Sequence, residues 1–240
     1  NTPTTTLIIR KFVEGTENEP LSGVAFRVVD GAGAAVGPDD GLYYTDKSGE
    51  IVLTGIEPGT TVTDREIKTV EGYILDGTPQ DILIKAGEVQ QLTFWNKKAG
   101  TLVIEKYVTG TTDPLKGVTF LVTESNGQVV GSSNGEYITD ENGRIVIEGL
   151  EPGVTITAKE IKTLEGYVLD TTPKSIKIKV GEAQTLRFYN QKQGCIVVKK
   201  LDKQTGEPLA GVEFQITYSD GSYLDDDYGH LSSKGLYKTD

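Results

Sequence analysis

Residues 45–52 read TDKSGEIV, and 94 positions later residues 139–146 read TDENGRIV. Two more pairs share this offset: GIEPG at 55–59 with GLEPG at 149–153, and EIKTVEGY at 66–73 with EIKTLEGY at 160–167. Solenoid repeats have periods of about 20–50 residues, so a period of this length indicates whole domains placed in series.

A shorter motif, Pro-Leu-x-Gly-Val, occurs three times, starting at Pro20, Pro114 and Pro208. The repeat therefore predicts two complete modules and part of a third, with these boundaries: module one at residues 1–98, module two at 99–193, and the N-terminal half of module three at 194–240. For module three we expect that the natural protein continues beyond this chain. The alternative is strand complementation, in which another chain supplies the missing strands.

Each complete module has the pattern of an all-β fold. VTFLV at 118–122 and SIKIKV at 175–180 alternate with period two and are rich in β-branched residues. Asn-Gly and Pro-Gly turn signals separate such runs. About seven short strands per module predict an immunoglobulin-like β-sandwich. The short linker at residues 97–101 favours tandem modules arranged in a rod.

The composition of the chain argues against several classes of function. The chain has 24 Lys and Arg against 35 Asp and Glu, a net charge of −11, with one His and one Cys. We therefore expect no nucleic-acid partner, no Cys/His zinc site and no cofactor. The sequence contains no run of about 18 apolar residues, so we expect no membrane-spanning segment in this chain. The acidic run Asp225–Asp227 with Asp220 matches no calcium loop and is expected to be solvated, as is His230.

Polar side chains stand on strand faces that are otherwise apolar. Residues i, i+2 and i+4 of a strand share a face, and Lys106 shares its face with Leu102 and Ile104. The same argument gives a Lys, a Glu and an Asn on the core side of each complete module: Lys11, Glu66 and Asn96 in module one, and Lys106, Glu160 and Asn190 in module two. Lys200 is the corresponding lysine of module three, and no matching Glu or Asn follows it in the chain.

Three interpretations of these residues are open. They form a buried Lys–Glu ion pair with Asn as a hydrogen-bonding neighbour, or they lie at strand ends and extend to solvent. In the third interpretation they react. Burial favours a neutral lysine amine and a protonated Glu, the Glu donates a hydrogen bond to the Asn carbonyl, and the amine displaces ammonia to form an isopeptide bond.

The modules resemble the Cna-B or SpaA-type (prealbumin-like) repeats of Gram-positive surface adhesins and pilins. The resemblance covers nearly the whole chain and rests on the first-strand Lys, PLKGVTF at 114–120, TDENG at 139–143, GLEPG at 149–153, Glu160 ahead of EGY at 165–167, and the terminal Asn190. It implies self-generated isopeptide bonds Lys11–Asn96 and Lys106–Asn190, promoted by Glu66 and Glu160. This is a single-turnover reaction and not enzymatic catalysis.

The chain departs from the family pattern at two places. The family often has Ala-Pro between the Glu and the Gly-Tyr, where this chain has Thr69-Val70 and Thr163-Leu164. Module one also has Asp64 where module two has Ala158.

The resemblance implies a structural stalk of a Gram-positive adhesin that is extracellular and anchored to the cell wall. Internal bonds would give it resistance to force and to proteases, and a host extracellular ligand would be bound by another region. The alternatives are a host-protein or glycan binding module and a pilus shaft subunit.

Overall fold

The computed structural model describes residues 4–224 and 235–240. It divides into two compact units, residues 1–192 and residues 193–240. Asp225–Asp227 and His230 lie outside the described residues. No helix in the described ranges is long and apolar enough to cross a membrane.

Module one contains seven strands and a short 3-10 turn at Asp39–Gly41. The strands are β1 (Thr6–Val13), β2 (Ala25–Asp30), β3 (Leu42–Tyr44), β4 (Glu50–Thr54), β5 (Thr61–Lys68), β6 (Gln80–Leu83) and β7 (Val89–Asn96). They form a three-stranded sheet in the order β4-β1-β7 and a four-stranded sheet in the order β3-β2-β5-β6. The first strand, β1, is antiparallel to β4 and parallel to the last strand, β7.

Module two repeats this topology. Its strands are β8 (Gly100–Val108), β9 (Thr119–Glu124), β10 (Glu136–Ile138), β11 (Arg144–Leu150), β12 (Thr155–Lys162), β13 (Lys174–Lys177) and β14 (Ala183–Asn190). The sheet orders are β11-β8-β14 and β10-β9-β12-β13. The parallel pair is again formed by the first and last strands of the module, β8 and β14.

The core of each module lies between its two sheets. Strand β1 alternates strictly between partly and fully buried positions, as expected when one face of a strand packs against a second sheet. The buried apolar side chains of module one include Leu7, Ile9, Phe26, Val28 and Val62. The prediction of an all-β chain with tandem sandwich modules is confirmed.

In the described part of the unit at residues 193–240, the strands β15 (Glu213–Gln215) and β16 (Leu236–Lys238) form an antiparallel pair. Lys200 is exposed there, and its backbone carbonyl accepts a hydrogen bond from the Leu209 N–H.

Candidate cross-linking site

Three buried polar side chains meet in the core of module one. Lys11 Nζ lies 2.7 Å from Asn96 Oδ1 and 2.7 Å from Glu66 Oε2. Asn96 Nδ2 donates a hydrogen bond of 2.6 Å to Glu66 Oε1. The Glu carboxyl therefore touches both nitrogens, one oxygen for each, while the lysine nitrogen faces the amide carbonyl.

Module two contains the same cluster. Lys106 Nζ lies 2.6 Å from Asn190 Oδ1 and 2.7 Å from Glu160 Oε2, and Asn190 Nδ2 donates to Glu160 Oε1 at 2.5 Å. The structure thus brings together all six residues that the sequence singled out in the two complete modules, as two separate triads of identical connectivity.

Both clusters are sealed from solvent. Each lysine is 0% exposed, and the Glu and Asn side chains are at most 1% exposed. Burial lowers the pKa of Lys11 and of Lys106, because desolvation of the ammonium outweighs the hydrogen bond and the charge of the neighbouring glutamate. The cost of burying the charge therefore favours the neutral amine, which is the nucleophilic form.

Two aromatic rings lie near the lysine nitrogen of module one. Phe26 and Phe94 pack with ring centroids 4.9 Å apart, and Lys11 Nζ lies 5.9 Å from each centroid. Phe120 and Phe188 form the equivalent pair in module two, at 4.8 Å. Apolar rings at this distance exclude water, which strengthens the electrostatic contacts inside the cluster.

The TDENG turn holds the lysine strand in place. Asp140 Oδ1 accepts hydrogen bonds from the N–H groups of Asn142 and Arg144, which closes the turn. The carbonyl of Gly143 then accepts the Lys106 N–H at 2.8 Å. Gly143 has φ +68°, and a Cβ there would lie 2.5 Å from the Lys106 carbonyl oxygen, so this close approach requires glycine.

The PLxGV motif holds the same residue of this strand through its carbonyl group. The Leu115 N–H donates to the Lys106 carbonyl at 2.9 Å. Thr139 links this segment to the turn, because its hydroxyl donates to the Leu115 carbonyl and accepts from the Val118 N–H. Two repeated motifs of the chain thus fix the backbone N–H and the backbone carbonyl of the site lysine.

A fourth side chain contacts each cluster. Asn96 Nδ2 donates to Thr69 Oγ1, and Asn190 Nδ2 donates to Thr163 Oγ1, both at 2.7 Å. Sequence reasoning noted these threonines only as departures from a family pattern. Both threonines lie three positions after the site glutamate of their module, and this shared spacing is the sequence signal that points to them.

Comparison with known families agrees with this architecture. The model of the SpaA prealbumin-like fold domain matches residues 6–98 and residues 100–192. The chain belongs to this family. No curated protein sequence matches it.

Three solved structures illustrate what this chain is similar to. The Bacillus anthracis TIE protein is 25% identical over 98% of this chain and 43% of that chain, with a TM-score of 0.41. A Streptococcal ancillary pilin is 25% identical over 80% and 63%, with a TM-score of 0.48. The shaft pilin spaA from Lactobacillus rhamnosus GG is 15% identical over 82% and 100%, with a TM-score of 0.44. This chain spans less than two thirds of the first two proteins. All three TM-scores lie below 0.5, so the family assignment rests on the family-model match.

The orientation of the Asn amide in the two SpaA domains of this chain differs from the sequence-based expectation. The sequence-based mechanism has the Glu carboxyl donate to the Asn carbonyl, whereas the structure places the amide nitrogen against the Glu and the amide oxygen against the lysine. The reason is hydrogen-bond complementarity, since the lysine nitrogen donates to the amide oxygen and the Glu oxygen accepts from the amide nitrogen.

The candidate in the third repeat is not part of such a cluster. In the described residues, the Lys200 side chain has no hydrogen bond or ion pair, and it is exposed. The contacts that Thr139 makes in module two recur there, because the Thr239 hydroxyl donates to the Leu209 carbonyl and accepts from the Val212 N–H.

Proposed function

We propose that this chain is a stalk segment of a Gram-positive cell-surface protein whose two complete modules cross-link themselves through Lys–Asn isopeptide bonds. The observation that carries the proposal is the buried Lys–Glu–Asn triad, present twice with matching distances. Family membership supports a structural role. We expect a host ligand to be recognised by another part of the protein, and the stalk to be held at the cell wall.

The geometry suits an intramolecular amide exchange. In module two, Lys106 Nζ is within 2.6 Å of the Asn190 carbonyl oxygen, which places the amine next to the amide carbon it would attack. Glu160 bridges the attacking nitrogen and the leaving nitrogen with its two oxygens. One carboxyl group can therefore serve as both base and acid in the same reaction.

The proton balance closes with these three groups. The lysine ammonium first gives one proton to the Glu carboxylate, which leaves a neutral amine and a carboxylic acid. The amine then forms the Nζ–Cγ bond, the carboxyl takes a second proton from Nζ and gives one to Nδ2, and the Cγ–Nδ2 bond breaks. The products are a secondary amide, ammonia and a protonated Glu, and no cofactor or oxidant is needed.

Strand order explains what such a bond would do under load. Strands β1 and β7 are parallel neighbours, with Lys11 opposite Phe94 and Asn96 opposite Val13. Force that enters at the start of β1 would reach Lys11, cross the covalent bond to Asn96 and leave the module at once. The residues between these two would carry little of the force, so the module would stay folded.

Single-molecule stretching of the full chain tests this function. Lys106 and Asn190 are 84 positions apart, and at about 3.5 Å per residue their release would lengthen the chain by about 30 nm. We expect no step of this size from either complete module of the unmodified chain, and one such step per module in the Glu66→Gln/Glu160→Gln variant. Steps of about 30 nm from both modules of the unmodified chain would contradict the proposal.

A further inference from the structure

Each Asn amide nitrogen donates a second hydrogen bond to a side chain outside the Lys–Glu–Asn triad. Thr69 and Thr163 lie three positions after Glu66 and Glu160, just past the ends of β5 and β12. In both modules the hydroxyl oxygen accepts from Nδ2 at 2.7 Å. Two independent copies therefore show the same contact to the nitrogen that would leave.

This contact fixes how the amide is turned. A primary amide has two N–H donors on its nitrogen. In Asn190, one donor is taken by Glu160 and the other by Thr163, so the nitrogen is fully satisfied in this orientation. Rotation by 180° would set the amide N–H groups against the donors of Lys106 and would turn the carbonyl away from the nucleophile.

We propose that Thr69 and Thr163 are positioning residues for the cross-linking reaction: each holds the leaving nitrogen beside the Glu carboxyl and so presents the amide carbonyl to the lysine. The inference rests on the proposed function. A threonine hydroxyl supplies this contact at the position where the family often has alanine.

The rate of ammonia loss tests the role. The full chain is made by cell-free synthesis, samples are quenched in guanidinium at intervals, and peptide mass mapping follows each module separately. Because Thr163→Val removes one hydrogen bond, we expect it to slow ammonia loss from module two by roughly fivefold to tenfold. Ammonia loss from module one should keep its rate. Thr163→Ser, which keeps the hydroxyl, should restore the rate.

Different results would overturn the positioning role of the threonines and the cross-linking reaction itself. Equal rates for Thr163→Val and the unmodified chain, or equal slowing by Val and Ser, would overturn the positioning role and leave the cross-link intact. Full retention of ammonia by the unmodified chain would instead overturn the proposed function itself.

A second, independent observation concerns a buried carboxyl in module one that the triad does not use. Asp64 is 0% exposed, and in the described residues neither of its oxygens has a hydrogen-bond partner. Burial raises the pKa of Asp64 to about 7, and the nearby Arg65 backbone amide offsets this only in part. Module two has Ala158 at the same position, also fully buried.

The surroundings of Asp64 offer its charge little compensation. Its paired neighbours are Val28 on β2 and Gln80 on β6. The charged groups on the core side are Glu66 on its own strand and Lys11 on β1 of the facing sheet, and these two pair with each other. From the other strands of the facing sheet, β4 and β7, the buried side chains are Ile51, Leu53, Leu92, Phe94 and Asn96.

We further propose that ionisation of Asp64 weakens module one as pH rises, whereas module two has no such response because alanine replaces the carboxyl. An unfolded Asp loses its proton near pH 4, so between about pH 4 and pH 7 the folded state binds more protons than the unfolded state. Stability is then greatest at the acidic end of this window and falls through it. From pH 5 to pH 8 the unfolding equilibrium constant of module one should rise by about a hundredfold.

Trp95 is a built-in probe for this test, since it is the only tryptophan of the chain and lies on β7 of module one. Urea unfolding of the full chain is followed by its fluorescence at pH 5 and pH 8, for the unmodified chain, Asp64→Ala and Asp64→Asn. We expect the hundredfold change only when Asp64 is present. The same pH dependence in all three proteins would overturn the proposal. Module two already accommodates alanine at this position, so Asp64→Ala is expected to fold.

Discussion

Replacing Glu66 by Gln should remove the module-one cross-link while keeping the shape of the side chain. The Gln amide has one acceptor oxygen where Glu has two, so it can accept from Lys11 or from Asn96, but it cannot take a proton from the amine and pass one to the leaving nitrogen. The variant should therefore fold with Lys11 and Asn96 next to each other and unlinked, so that its stability reports the value of the bond.

The size of the effect follows from the length of the loop that the bond closes. Lys11 and Asn96 are 85 positions apart. In the chain-entropy model, a link across such a loop destabilises the unfolded state by about 4–5 kcal/mol. With a urea dependence of about 2 kcal/mol per M, which is typical of small domains, the unfolding midpoint of module one should fall by about 2 M.

The assay is urea unfolding monitored by Trp95 fluorescence, with intact mass measured on the same samples. Glu160→Gln is the matched control: it should remove one cross-link by mass but leave the Trp95 midpoint close to that of the unmodified chain. A Glu66→Gln protein that retains the ammonia yet keeps the unmodified midpoint would refute the stabilising role. A Glu66→Gln protein that still loses the ammonia would refute the role of the carboxyl.

The remaining predictions concern Gly100, the first residue of β8. A Cβ on Gly100 would lie 2.2 Å from Ile178 Cγ2 and 2.7 Å from the Lys179 carbonyl oxygen, so Gly100→Ala should destabilise the chain by about 1–3 kcal/mol in thermal or urea unfolding. Gly194 has the same place in the next repeat and no atom within 4 Å of a Cβ, so Gly194→Ala should leave stability unchanged. Equal effects of the two substitutions would contradict the close packing at Gly100.

Much of this architecture could be predicted because the chain contains two similar modules, whose sequences can be aligned with each other. The repeat pairs Asn96 with Asn190 at an offset of 94 and Lys11 with Lys106 at an offset of 95, and period-two alternation places these polar side chains on apolar faces. Strand alternation depends only on backbone geometry, which local sequence specifies well.

The finer contacts depend on how two sheets pack, which the alternation pattern does not specify. Thr69 lies beyond the end of β5, outside the period-two pattern, so its contact with Asn96 could not be predicted from strand faces. The orientation of the Asn amide likewise depends on which side of it the lysine reaches. The identity of Asp64 was visible in the sequence, but the lack of any hydrogen-bond partner for it became apparent only in the folded core.

The intact mass of the purified, denatured chain tests the central claim most directly. Each isopeptide bond expels one ammonia, a loss of about 17 Da. We predict a deficit of two ammonias in the unmodified chain, of one in Glu66→Gln and in Glu160→Gln, and of none in the double variant, after allowance for the substitutions themselves. A full, unmodified mass for the natural sequence would contradict the account and would leave the two triads as buried ion pairs.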